Sequence, residues 1–182
     1  MKYYLVALFD DESTKTIEAT QKSLSKKYRL YKNLPTLHIT LDIVEDPDLN
    51  KLDQVLTKIV KPYSRFKIEL TDTMLFDESR KALTLKVVSK GYIKRLARSI
   101  NDTLKLHGFN VKPAPESPEL QLSLLSANHP PREWNKIDPS KGHSIAKKDA
   151  FFRMPKISRI ELWKSTSSKK EMVVKSYPLR YF

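Results

Sequence analysis

Two pentapeptides constrain the fold of this 182-residue chain more than any other feature: Leu37-His38-Ile39-Thr40-Leu41 and Leu120-Gln121-Leu122-Ser123-Leu124. Both alternate apolar with polar residues, the period of an extended strand whose successive side chains point to opposite faces. Each also closes a strand–helix–strand order. In the first copy, Tyr3 to Phe9 is a β-rich apolar run suited to a central strand. Ser13 or Thr14 can cap a helix to about Tyr28, with Ile17, Thr20 and Leu24 on one face. After the break at Leu34-Pro35, Thr36 to Val44 reads as a strand.

The second copy repeats that order. Ala82 to Val88 is a strand, and Tyr92 to His107 a helix burying Ile93, Leu96, Ala97, Ile100 and Leu104. Gly108 sits where the residue after a helix enters the left-handed region, and Glu119 to Leu125 is again a strand. The pentapeptide begins 34 residues after Tyr3 in one copy and 37 after Leu83 in the other. Between the copies, Asp46-Pro47-Asp48 opens a helix striped by Leu52, Val55, Leu56, Ile59 and Val60, which Pro62 ends. Phe66 to Leu70 follows as a strand, and Asp77-Glu78-Ser79-Arg80 as a turn. Past the second copy, Ser126 to Asp149 is loop-rich, then Ile157 to Trp163 and Met172 to Val174 are strands. The expected fold is α+β: one domain of two pseudo-symmetric lobes, about 1–80 and 81–182, with antiparallel sheets around a central cleft.

Several chemistries are excluded. Three glycines, Gly91, Gly108 and Gly142, stand far apart, so neither a phosphate-cradling loop nor a dinucleotide fingerprint can be built. With no cysteine there is no disulfide, thiolate nucleophile or cysteine-ligated zinc. The apolar start is too short for a signal peptide or a membrane span, so a soluble, cytoplasmic protein is expected. The net charge of +13 is lopsided: residues 1–90 carry 16 Lys/Arg against 13 Asp/Glu, and residues 91–182 carry 18 against 8. Such a field attracts polyanions, although a lysine-rich solubilising surface has the same composition.

Strand periodicity turns the Leu and Ile positions of each pentapeptide to the core, and His38 with Thr40, or Gln121 with Ser123, to the other face. A pseudo-twofold would converge these pairs on one small volume. Hydroxyls would then donate to phosphate oxygens while the flanking groups handle protons. A half-buried strand histidine and ordinary strand hydroxyls would carry the same pattern.

His-x-Thr/Ser repeated at the end of two strand–helix–strand units resembles the 2H phosphoesterase superfamily, which includes the 2′-5′ RNA ligase-like proteins and cyclic phosphodiesterases. The resemblance runs over essentially the whole chain. Met1 to Phe9 is similar to the family's first strand, Leu34 to Leu41 to its first motif, and Ser176-Tyr177-Pro178-Leu179 to its closing strand. It implies a metal-independent, cofactor-free monomer acting on RNA ends or nucleotides with 2′-5′ or 2′,3′-cyclic phosphate linkages. His38 would be a proton carrier, and Thr40 and Ser123 would hold phosphate oxygens. Gln121 departs from the pattern, standing where the second histidine belongs. An amide does not titrate, and general acid–base catalysis by one group is worth roughly 10²–10⁴-fold. The resemblance therefore implies retained phosphate binding with weak turnover, or a binding module with none.

Other candidates are secondary. Arg132 and Trp134 suit a phosphate and a base at an RNA end, or a loop anchored in the core by tryptophan. His129 and His143 are alternative proton carriers if their loops swing in. His107 reads as a helix-terminal residue, Trp163 as a core strand residue, and Lys147-Lys148 and Lys169-Lys170 as solvated charge.

Overall fold

A computed structural model of the chain describes residues 1–30, 34–88, 91–113, 119–132, 134, 142–145, 154–166 and 171–182. Lys147-Lys148, Lys169-Lys170 and the proline-rich residues 114–118 lie outside the described residues. The element order is β1 (Lys2–Phe9), α1 (Asp11–Lys27), β2 (Ile39–Glu45), α2 (Leu49–Val60), β3 (Phe66–Lys67), β4 (Thr73–Asp77), β5 (Ala82–Lys86), α3 (Gly91–Leu106), β6 (Asn110–Pro113), β7 (Gln121–Ser126), β8 (His143–Ser144), β9 (Lys156–Ser165) and β10 (Glu171–Pro178).

The helices follow their apolar stripes, with local chemistry setting their ends. α1 begins earlier than Ser13, because Asp10, the residue after β1, accepts from the Ser13 amide at 2.8 Å. Asp11 and Glu12 in its first turn and Lys26 and Lys27 in its last favour the helix dipole. In α2, capped by Asp48, the five expected stripe residues are all buried. α3 ends in a Schellman motif: Phe109 N–H reaches Leu104 O and Gly108 N–H reaches Lys105 O, with Gly108 at φ +82°.

Every pairing between the strands named above is antiparallel. One sheet has the order β10-β9-β1-β2-β6, with β3 added beside β9; the other is β7-β5-β4-β8. The fold is α+β with antiparallel sheets, as the sequence pattern requires. The sheets do not divide at residue 80, however. β9 and β10 complete the sheet of β1 and β2, β6 crosses over to pair β2, and β4 joins β5. The short strands β4, β6 and β8 are additions to the sequence reading. β2 begins at Ile39 rather than Thr36, so His38 lies just ahead of the strand.

The two pentapeptides share an irregularity of register. Along β1 and β2, Leu5 pairs Asp42 but Val6 pairs Thr40, which leaves Leu41 as an extra residue. Along β5 and β7, Leu83 pairs Leu125 but Thr84 pairs Ser123, which leaves Leu124 extra. The same bulge thus falls on the fifth residue of both pentapeptides, next to Thr40 in one and Ser123 in the other. A bulge bends its strand and re-aims neighbouring side chains. Here Leu41 joins the core while Asp42 accepts from Asn101 of α3 at 3.0 Å.

Residues 3, 5, 7 and 9 of β1 enter the main core with the helix stripes and with Leu37, Ile39, Leu120, Leu122 and Leu124. On the opposite face Val6 and Leu8 pack with Trp163 and Tyr4 in a second, smaller cluster. Burial on both faces explains the nearly continuous apolar run of β1. None of the described helices is long and apolar enough to cross a membrane.

Candidate functional site

Residues 34–38 precede β2 without regular structure, and His38 takes its position from a local bond. Its Nδ1 lies 2.7 Å from the Thr36 carbonyl oxygen. A carbonyl only accepts, so Nδ1 carries the proton and donates, leaving the Nε2 lone pair of the neutral ring for other chemistry. The imidazole packs on Trp163, with ring centroids 4.6 Å apart and planes tilted by 56°. Its pKa lies below the ordinary histidine value. Burial is the main cause, the Thr36 bond opposes it, and the positive charge of Arg80 lowers it further. His38 is therefore neutral near pH 7, the form able to accept a proton.

Trp163 is in turn held from below. Its Nε1–H donates to Glu161 at 2.7 Å, and the other Glu161 oxygen accepts from Arg159 Nε at 2.8 Å. Arg159 also donates to the Phe9 carbonyl. Residues 159, 161 and 163 share one face of β9 by the strand's period of two. A cleft of about 250 Å³ opens above this row, lined by Tyr4, His38, Thr40, Trp163, Lys164, Ser165 and Glu171. Burial raises the Glu171 carboxyl above its usual range.

The second pentapeptide presents Gln121 and Ser123, both half-buried, on β7. Gln121 Oε1 is buried and accepts no hydrogen bond among the described residues. Arg80 Nη1 approaches Ser123 Oγ at 3.5 Å, and the same guanidinium acts electrostatically on His38. Arg80 thus bonds the second motif and acts on the first only through its charge. Asp77 anchors it: one carboxylate oxygen accepts from Ser79 N, Ser79 Oγ and Arg80 N, while the other lies 3.7 Å from Arg80 Nε. Burial alone would raise the Asp77 pKa, but these donors and the Arg80 charge hold it below the usual carboxylate range.

A second link comes from α1. Gln21, only 3 % exposed, donates from one amide nitrogen to Pro35 O at 3.0 Å and to Leu124 O at 2.9 Å. One buried amide therefore ties the segment leading to His38 to the bulged residue beside Ser123.

The remaining candidates lie elsewhere. Trp134 is 5 % exposed in the core and stacks on His143, whose ring also meets the Tyr28 edge; this is the core-anchoring alternative, and Trp134 offers no open face to a base. Arg132 and His129 are exposed. His107 directly follows α3, its ring bonded to Thr103 O and its carbonyl to Lys51. Among the described residues no group of three His, Cys, Asp or Glu side chains could hold a metal ion. Sequence reasoning missed Arg80 and Gln21 and assigned Trp163 to the core. Trp163 is buried, but it also forms a wall of the cleft. The one available signal was Gln21, a polar residue adjoining the apolar face of α1.

Comparison with known proteins bears on the family and the fold. A sequence model of the 2′-5′ RNA ligase superfamily matches residues 9–133, which include both pentapeptides. No curated protein matches the chain in sequence. Among solved structures it is similar to Escherichia coli LigT complexed with phosphate (13 % identity, 98 % of this chain and 97 % of that one, TM-score 0.60). It is also similar to TT0787 of Thermus thermophilus (16 %, 99 % and 98 %, TM-score 0.61). Kluyveromyces marxianus Usb1 shares the fold more distantly (12 %, 98 % and 98 %, TM-score 0.54). At these identities the likeness is one of fold.

Proposed function

Because the chain belongs to the 2′-5′ RNA ligase superfamily, we propose that its cleft binds the phosphate of an RNA end or nucleotide with a 2′-5′ or 2′,3′-cyclic linkage, and that His38 is its single proton carrier. The observation that carries this reading is the bulge repeated beside Thr40 and Ser123, together with Gln21, which bonds both segments, and Arg80, which bonds Ser123. The description of LigT in complexes with phosphate and 3′-AMP supports an anion of this class.

In the proposed hydrolysis, Thr40 and Ser123 hydroxyls donate to non-bridging phosphate oxygens. His38 Nε2 removes a proton from water as its oxygen bonds to phosphorus, and the bond to one ribose oxygen breaks. That leaving oxygen takes its proton from solvent, because Gln121, standing in the place of a second histidine, donates hydrogen bonds but exchanges no proton. Turnover is weakened accordingly. No metal enters the scheme, and the protein works as a monomer in the cytoplasm.

His38→Ala should abolish hydrolysis of a 2′,3′-cyclic nucleotide while leaving the fold intact. Equal rates for parent and variant would sink the assignment. A second reading, a module that binds RNA or nucleotide without turnover, is favoured by Gln121. It predicts that the parent binds 3′-AMP yet hydrolyses no cyclic substrate.

A further inference from the structure

We infer that Arg80 supplies the fixed positive charge of the phosphate site, replacing the charge that a second, protonated histidine would bring. This inference rests on the phosphate reading above. A phosphate held only by hydroxyls and neutral rings lacks a counter-charge, and charge-assisted bonds are roughly twice as strong as neutral ones. Around the two motifs Gln121 is neutral by chemistry, and His38 is kept neutral by its surroundings. Lys164 lines the cleft on the His38 side, and the cation bonded to the second motif is Arg80, whose guanidinium reaches Ser123 Oγ and whose charge also acts on His38.

Its setting is that of a group built for one position. The side chain is 15 % exposed on the turn between β4 and β5. Asp77 fixes that turn through the backbone amides of Ser79 and Arg80 and faces Nε, the near edge of the guanidinium. The Nη1 edge reaches Ser123 Oγ. A phosphate oxygen bound by the Ser123 hydroxyl therefore meets a guanidinium N–H in the same place. The fork geometry of arginine suits two oxygens of one phosphate, which a lysine ammonium cannot match. Gln121 Oε1, a buried acceptor with no donor among the described residues, lies on the same face of β7, two residues before Ser123. An arginine does not deprotonate in the working range, so it binds the anion at any pH but cannot serve as the acid that Gln121 has ceased to be.

The test is a titration of the full chain with inorganic phosphate, 3′-AMP and adenosine at constant ionic strength, followed through the His38 ring resonances and by calorimetry. Arg80→Gln should weaken phosphate and 3′-AMP by about 10- to 100-fold and leave adenosine unchanged. Arg80→Lys, which keeps the charge and protects against a folding defect, should recover only part of the loss. If the parent binds both phosphates and Arg80→Gln or Arg80→Lys binds them equally well, the role of Arg80 is refuted and the phosphate site stands. A loss that includes adenosine would likewise refute it, since it would mark a structural role. If the parent binds neither phosphate, the phosphate reading itself fails.

Discussion

Gln21→Leu removes the amide that joins the two motif-bearing segments while keeping a side chain of similar size. In the parent that amide serves two carbonyls, Pro35 O at 3.0 Å and Leu124 O at 2.9 Å. The site is 3 % exposed, so water cannot replace the donor without a rearrangement. A buried acceptor left without a donor costs about 1–3 kcal/mol. Two such losses give about 2–6 kcal/mol, and burial of the new leucine returns about 1–2 of it. The net expectation is a destabilisation centred on about 2–3 kcal/mol and reaching about 5 at most. At about 2–4 °C per kcal/mol for a chain of this size, the melting temperature should fall by at least a few degrees. Urea unfolding gives the free energy and calorimetry the melting temperature. Phosphate affinity below the transition should also fall, because the two segments no longer share a tether. An unchanged unfolding midpoint would refute the reasoning. So would a destabilised protein with parental phosphate affinity, since the bond would then support the fold without aligning the site.

Three further outcomes follow from the same structure. The Asp42 carboxyl is pushed up to about 6, chiefly by burial and also by Asp102, against the Asn101 bond and Lys105. Between its unfolded value of 3.8 and about 6 only the unfolded chain ionises, so stability is lost as pH rises through that window. Asp42→Asn should therefore gain about 1 kcal/mol at pH 7.5, a ceiling of about 3 less the cost of an unpartnered amide. Near pH 4 the ionisation contribution is nearly gone while the amide cost remains, so the gain should turn into a loss of about 1 kcal/mol; urea midpoints at both pH values check it. For His38, the lowered pKa keeps the ring neutral at pH values where an ordinary histidine is protonated. The rate on a cyclic substrate should hold to below pH 6.5, then fall along one limb, and a bell-shaped profile would mean a second titrating group. Trp163→Ala removes the ring packed 4.6 Å from His38 and should cost about 3–5 kcal/mol in denaturant unfolding. In the residual folded protein the His38 pKa should return toward its ordinary value, measured by its ring resonances.

What was legible in the sequence was whatever has a local period. The α2 stripe, the α3 face with its Gly108 stop, and the inward leucines of both pentapeptides are read directly, because burial of one face dictates their spacing. β4, β6 and β8 carry no such signal: they are two to five residues long and exist because a partner strand supplies their hydrogen bonds. For the same reason the first sheet draws on both ends of the chain, as the pairing of β9 with β1 spans more than 140 residues. At the site, His38, Thr40, Gln121 and Ser123 stand out by repetition. Arg80 lies in an ordinary-looking turn, and its contact with Ser123 crosses 43 residues. The Gln21 bond to Leu124 crosses 103. No pattern along the chain records either contact. Trp163 differs again: its burial was legible, but not that its face meets an imidazole.

The most direct test of a single-proton-carrier site is the rate of 2′,3′-cyclic nucleotide hydrolysis by Gln121→His, alone and combined with His38→Ala. The proposed function predicts a gain of about 10²–10⁴-fold for the single variant, erased in the double variant. No gain from the new histidine, or a gain that survives without His38, would contradict it.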